Sequence, residues 1–252
     1  MRAVQKHRVD QCLLASSFTR LPEWIDHPPS GQAGCEMAMA QREGLTMCNL
    51  YSQTTSPEAM RQIFAGLTNA AGNIEPGDIY PDRMAPIITA GEGGHVLRSA
   101  RWGLPSPPQF HSKSGIDRGV TNVRNTNSPH WRRWLGPPHR CLVPVERFAE
   151  PRQGKGAGNA WFALKEDRPA FFAGIWVPDW TSIRKLKDGE TTDDLFAFLT
   201  CDPNAEVAAI HPKAMPVILT EPDDWEEWLV EPWTDARSLQ GPLPAGSLEV
   251  IE

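Results

Sequence analysis

Arg140-Cys141-Leu142-Val143-Pro144-Val145-Glu146-Arg147-Phe148-Ala149-Glu150 reads as a strand over 141–145 that runs on through apolar positions into a carboxylate. Runs of the same kind recur at 85–89, 95–102, 160–164, 170–176, 196–200 and 215–219. Each is bounded by Gly, Pro, Asn or Asp, as strands separated by turns are. Helices are few. Ser56-Pro57-Glu58 opens one that extends to about residue 67, with serine as cap, proline in the first helical position and glutamate in the first turn. A second spans 222–229, capped by Thr220, with Trp225, Trp228 and Leu229 as its inner stripe. The 24 prolines discourage any long helix. The 252 residues therefore form a mixed, β-rich chain that is most economically one domain. The polar, glycine-containing stretches 155–159 and 185–194 read as exposed loops. The first lacks the GxxxxGK[ST] spacing of a phosphate-cradling loop.

Composition narrows the function. Cys12, Cys35, Cys48, Cys141 and Cys201 are scattered with no CxxC pair, which argues against a disulfide framework and a structural zinc site and fits a reducing cytoplasm. No apolar run approaches the roughly 20 residues that span a bilayer, and 11–18 is too brief for a secretory signal, so the expectation is a soluble protein with no membrane role. Net charge is −6, yet Arg98, Arg101, Lys113, Arg118, Arg124, Arg132, Arg133, Arg140 and Arg147 form a basic block broken only by Asp117 and Glu146. Trp102, Phe110, Trp131 and Trp134 interleave with it. Two readings stand: a single-stranded nucleic-acid surface that combines phosphate neutralisation with stacking, or a solvated basic face whose tryptophans point into the core.

Four segments hold chemically capable residues. In Met47-Cys48-Asn49-Leu50-Tyr51 the cysteine is either a buried structural residue or, if it becomes the N-terminus, a 1,2-aminothiol. The latter pairs an α-amine of pKa about 7.7 to 8.0 with a thiol near 8.5, a combination suited to condensing with an aldehyde and closing a thiazolidine. Asn122 and Arg124, on one side of an extended Thr121-Asn122-Val123-Arg124-Asn125-Thr126, would hold a phosphate or polarise a carbonyl, or belong to an ordinary Asn-rich turn. Glu150 is either a surface glutamate or a desolvated proton shuttle. His211, between Ile210 and Pro212, is either a capped structural histidine or an acid/base.

Taken in order, MCNLYS (47–52), RWGLPSP (101–107), TNVRNT (121–126), RCLVPVERFAE (140–150), FFAGIW (171–176), LTCDPNAEV (199–207) and IHPKAMPVIL (210–219) resemble the SOS-response-associated peptidase family, the abasic-site processing proteins. The resemblance covers residues 47 to about 233. It implies an α+β single domain with a curved, barrel-like, mainly antiparallel β core, a few flanking helices and a basic DNA groove. It implies that N-terminal Cys48 crosslinks to abasic sites in single-stranded DNA, that Asn122 holds the ring-opened sugar and the Cys48 region, and that Arg124 binds the neighbouring phosphate. Glu150 would position or deprotonate the α-amine, and His211 would serve as acid/base. Trp102 would stack beside the lesion, and Arg101, Arg132, Arg133 and Lys213 would line the DNA path. No metal or organic cofactor is required, a monomer is implied, and some strand-cleaving lyase activity is expected as a side path.

The chain departs from the family pattern at three places and in its length. Asn49-Leu50 replaces the usual Gly-Arg, a lost phosphate contact that Lys213 would replace; Asn125-Thr126 stands where an acidic residue is usual; Pro151 replaces an aromatic. Residues 1–46 precede Met47 and would block the Cys48 amine, so either translation starts at Met47, the favoured reading, or a structureless leader is removed autocatalytically, leaving a 47–252 domain. Two rivals remain. A thiol peptidase would use Cys48 and His211 with Asn122 as oxyanion donor, and a non-covalent shield would bind single strands through the basic block alone.

Overall fold

In the computed structural model the described residues are 48–154 and 156–251; the leader expected over 1–46 lies outside them. The chain enters on strand β1 (Leu50–Gln53) and helix α1 (Pro57–Ile63), whose first turn is capped by the Ser56 hydroxyl accepting from the Ala59 N–H at 3.2 Å. The helix ends at Ile63 rather than near residue 67, because Phe64 turns extended and Gly66 takes φ +75°, a conformation that suits glycine. Strands β2 (Thr68–Asn69) and β3 (Gly77–Ile79) precede a hairpin of β4 (Met84–Gly91) and β5 (Gly94–Trp102). Next come β6 (Asn122–Val123), α2 (Pro129–Arg132), β7 (Arg140–Val145), β8 (Arg147–Pro151) and β9 (Asn159–Leu164). The long pair β10 (Ala170–Ile183) and β11 (Glu190–Cys201) leads to α3 (Ala205–Ala208), β12 (Met215–Pro216) and β13 (Ile218–Leu219). Helices α4 (Pro222–Val230) and α5 (Trp233–Ala236) and strand β14 (Leu248–Val250) complete the chain.

Five strands close on themselves. β4 pairs with β5, β5 runs parallel to β11, β11 pairs with β10, β10 with β7, and β7 returns to β4 at Ile88 opposite Leu142. Closure leaves these strands no free edge and gives the mainly antiparallel barrel of an α+β domain. A second sheet, in the order β14-β9-β8-β1-β3, is antiparallel throughout. The Arg140–Glu150 stretch is the hinge between the two. It forms two strands, β7 in the barrel and β8 in the second sheet, with the Glu146 N–H at the corner donating to Ser52 O at 2.9 Å.

Tyr51 of β1 docks the second sheet onto the barrel. Its ring meets Trp102, Phe172 and Phe198 edge-on at centroid distances of 5.2, 5.5 and 6.1 Å. Such aromatic pairs contribute about 0.5–1.5 kcal/mol each beyond the area they bury. Cys48, three places earlier in the chain, is thereby held between the second sheet and the barrel.

Two further sequence expectations are corrected, and of the two readings of the basic block's tryptophans the second holds. Residues 190–194 belong to β11 and pair with β10, because a two-stranded extension solvated on both faces carries polar residues without apolar period. The α4 cap position is Glu221, and Thr220 instead donates its hydroxyl to the Glu221 carboxylate at 3.2 Å. Trp102, Trp131 and Trp134 of the basic block are core residues. Arg140 is also buried, donating to the carbonyls of Leu135 (2.9 Å) and Trp228 (2.7 Å) with its guanidinium 5.0 Å from the Trp228 ring centroid. Burial without a carboxylate lowers its pKa to about 10.

Candidate active site

Strand pairing brings together four residues scattered over more than 160 positions of the chain. β1 pairs with β8 at Leu50 opposite Ala149, so Cys48, just before β1, comes beside Glu150 on β8. β6 pairs with the C-terminal half of β11, and this sets Asn122 facing the same spot. The Asn122 Nδ2 donates to the Cys48 carbonyl at 2.8 Å and to the Thr121 hydroxyl at 2.9 Å. His211 follows the short helix α3, whose N-cap Asn204 accepts from Val207 N–H at 3.2 Å. The His211 Nδ1 lies 3.1 Å from Ala214 O and 3.4 Å from a Glu150 carboxylate oxygen. A carbonyl only accepts, so Nδ1 carries the proton and Nε2 of the neutral ring is an acceptor.

All four residues are buried. Burial pushes the Glu150 carboxyl well above the usual carboxylate range, opposed by a hydrogen bond from the Cys48 backbone N–H. The Cys48 thiol is likewise pushed well up, by burial first and by the neighbouring Glu150 charge second. The site therefore holds a proton-carrying thiol and a carboxyl poised to exchange a proton, rather than a preformed thiolate. The Oδ1 of Asn122 and the Oε2 of Glu150 are buried without a hydrogen bond among the described residues; His211 Nδ1 lies 3.4 Å from that Oε2 but is bonded to Ala214 O.

The predicted binding residues separate into three groups. Arg124, two residues beyond Asn122, is half-buried and bonded to the exposed Asp202. Arg101 is held by Asp82 at 3.1 Å and Asp193 at 3.3 Å. Arg132, Arg133 and Lys213 are exposed, with Arg133 stacked 3.9 Å from the Trp134 ring centroid. Trp102 has no face to offer a base: it is 1% exposed, its Nε1 donates to Thr121 O at 3.0 Å, and Phe198 stacks on it at 5.2 Å. The expectation that it stacks beside a lesion is thus corrected, since its ring is spent on the core.

One positioning residue carries no mark in the sequence. Gln240, in the turn after α5, donates to the carbonyls of Arg124 and Thr200 at 3.0 Å each and accepts from the Thr126 hydroxyl at 3.0 Å. A lone glutamine in a polar turn has no signal that points to partners 114 and 116 residues away.

Comparisons with known proteins agree with the fold. The family model described as SOS response associated peptidase (SRAP) matches residues 47–252. A protein from Bacteroides thetaiotaomicron shares the fold with a TM-score of 0.64 at 22% identity, covering 81% of this chain and 92% of its own. A protein from Bordetella bronchiseptica has a TM-score of 0.61 at 23% identity over 81% of this chain and 100% of its own. A phage-related protein of the same organism has a TM-score of 0.57 at 22% identity, covering 81% and 92%. No curated protein matches in sequence. With the family model spanning all four buried site residues, the chain belongs to the SOS response associated peptidase family.

Proposed function

We propose that this member of a DNA-damage-associated family crosslinks covalently to abasic sites in single-stranded DNA through Cys48 as an N-terminal residue. The observation that carries the reading is the convergence on Cys48: Asn122 on its carbonyl at 2.8 Å, Glu150 against its backbone nitrogen, and His211 3.4 Å from Glu150. The chemistry needs positioning and proton transfer more than a strong nucleophile. The Cys48 amine adds to the open-chain aldehyde of the abasic sugar, and water leaves to give an imine. The thiol then adds to the imine carbon, its proton passes to the nitrogen, and a thiazolidine closes. Glu150, with its raised pKa, accepts a proton from the ammonium and returns one to the departing hydroxyl, and His211 is placed to relay it. An imine that is not trapped loses the neighbouring sugar proton and undergoes β-elimination, so slow strand cleavage accompanies crosslinking.

Several features belong to the same proposal. The amine must be freed, by a translation start at Met47 with removal of that methionine or by self-cleavage ahead of Cys48. Arg124 exchanges Asp202 for a DNA phosphate, and Lys213, Arg132 and Arg133 extend the path. The protein acts as a cytoplasmic monomer on DNA without cofactor. Among the described residues no helix is long and apolar enough to cross a membrane. The raised pKa of Cys48 favours this reading over a thiol peptidase acting in trans, whose nucleophile depends on a lowered one.

The test is a denaturing gel of protein beginning at Cys48 incubated with single-stranded DNA carrying an abasic site. The expected result is a persistent shifted band, absent for Cys48→Ala and for intact DNA. No band under these conditions contradicts the proposal.

A further inference from the structure

With Trp102 in the core, the aromatic surface that a single strand stacks on must come from elsewhere. Among the described residues Tyr80 is the one aromatic side chain that is mostly exposed, at 52%. Its place in the fold is what matters. β3 pairs with β1 at Ile79 opposite Tyr51, so the next residue, Tyr80, comes alongside Leu50, two positions or about 7 Å of strand from Cys48.

The turn that presents Tyr80 is held from several sides. Arg83 N–H donates to Tyr80 O at 3.2 Å, Asp82 N–H to Trp102 O at 2.9 Å, and Trp102 N–H to Arg83 O at 2.9 Å. Asp82 sits in the left-handed region at φ 65°, which fixes the reversal. An aromatic ring on a rigid turn loses little entropy when a ligand settles on it. Electrostatics agree. The Asp82 carboxylate is engaged by Arg101 at 3.1 Å and Lys185 at 2.9 Å, and Arg83 adds an exposed guanidinium on the same turn. A polyanion approaching Tyr80 therefore meets paired carboxylates and one further cation.

We infer that Tyr80 is the platform on which a nucleobase adjacent to the abasic sugar stacks while Cys48 reacts. This rests on the DNA reading of the site given above. The ring is a binding residue: it touches a neighbouring base, and the reacting carbon is left to Cys48. Every base has a π-face, so the contact is indifferent to sequence and adds affinity without selecting a context.

The test is equilibrium binding of the full chain to a labelled single-stranded oligonucleotide by fluorescence anisotropy, with a fluorescent purine analogue beside an abasic site as a second readout. Tyr80→Ala is expected to weaken binding roughly 5- to 150-fold, the range for loss of one base–aromatic stack. Tyr80→Leu, apolar but without a π-face, weakens it similarly, and Tyr80→Phe stays within about twofold of the parent. The analogue is quenched by the parent and by Tyr80→Phe and not by Tyr80→Ala. Because Tyr80 is exposed, all three variants should melt with the parent, which separates lost stacking from lost folding. Parent-like binding and quenching by Tyr80→Ala overturns the inference alone. A parent chain that binds no single-stranded DNA overturns both it and the function it rests on.

Discussion

Glu150 is a buried carboxyl whose charged form works against the fold. Its carboxyl is buried and raised above its unfolded value of about 4.3, so the neutral form is the one the folded chain prefers. The sign follows by linkage: stability associated with this group is fully present below pH 4.3 or so and is lost as pH rises through the folded pKa. In the full chain Glu150→Gln should therefore melt higher than the parent at pH 7–8, by roughly 2–10 °C for on the order of 1–3 kcal/mol, and the two should converge near pH 4. In protein beginning at Cys48 the α-ammonium faces the carboxylate and offsets the penalty, so the gain should shrink or reverse. Thermal melts of both forms across pH check this; an equal gain in both would place Glu150 away from the amine. Residues of this kind were half legible. The identities of Cys48, Asn122, Glu150 and His211 could be named from motifs, but their convergence, Asn122 on the Cys48 carbonyl and His211 beside Glu150, comes from pairing that no motif encodes.

At the scale of elements the site depends on how a two-residue strand is held. Among the described residues β6 has a single strand partner, β11, and the three hydrogen bonds of Gln240 tie its far end to Thr200 and to the turn at Thr126. Gln240→Ala should lower the crosslinking rate about 10- to 100-fold, the range associated with roughly 1 Å of misplacement at a reacting group. Weakening of DNA binding should be smaller, and the barrel should survive with a loss of a few degrees in melting temperature. Rates measured over a range of DNA concentrations separate the two effects; an unchanged rate at saturation contradicts the positioning role. Elements themselves read well where pattern is local. The strands at 85–89, 95–102, 141–145, 160–164 and 170–176 all lie within observed ones, and the Ser56-Pro57-Glu58 start of α1 is capped as expected. The short strands β1, β2, β3 and β14 escaped, the run at 215–219 splits into β12 and β13, and two further misses are instructive: β8, whose Arg147 and Glu150 hide a buried strand, and the polar half of the β10–β11 hairpin. In both, pairing rather than propensity makes the strand.

For the whole molecule, the basic block of nine Lys and Arg overstates the surface it suggested. Arg140 is buried between tryptophans, Arg101 is bound by two carboxylates, and Arg124 carries Asp202. Nine phosphate contacts would give a log K against log salt slope of about −6 for a single strand; the free cations here predict about −1 to −3. Arg124→Ala should reduce the magnitude by about 0.7, and Asp202→Asn should tighten binding about two- to fivefold, in keeping with one exposed ion pair. A slope near −6 would mean that the buried and paired arginines are exposed on binding. Charge along the chain overstated the exposed basic surface, because sequence cannot tell a guanidinium facing solvent from one stacked on a core tryptophan.

The central claim is that one terminal residue joins nitrogen and sulfur to the same carbon. Mass analysis of the nuclease- and protease-digested adduct, after treatment with a thiol-alkylating reagent, tests it most directly. The account predicts a peptide that begins at Cys48, carries the abasic sugar with the loss of one water, and has a Cys48 sulfur that does not alkylate. An adduct on a lysine, a freely alkylated Cys48, or a crosslinked peptide that still bears Met47 would contradict it.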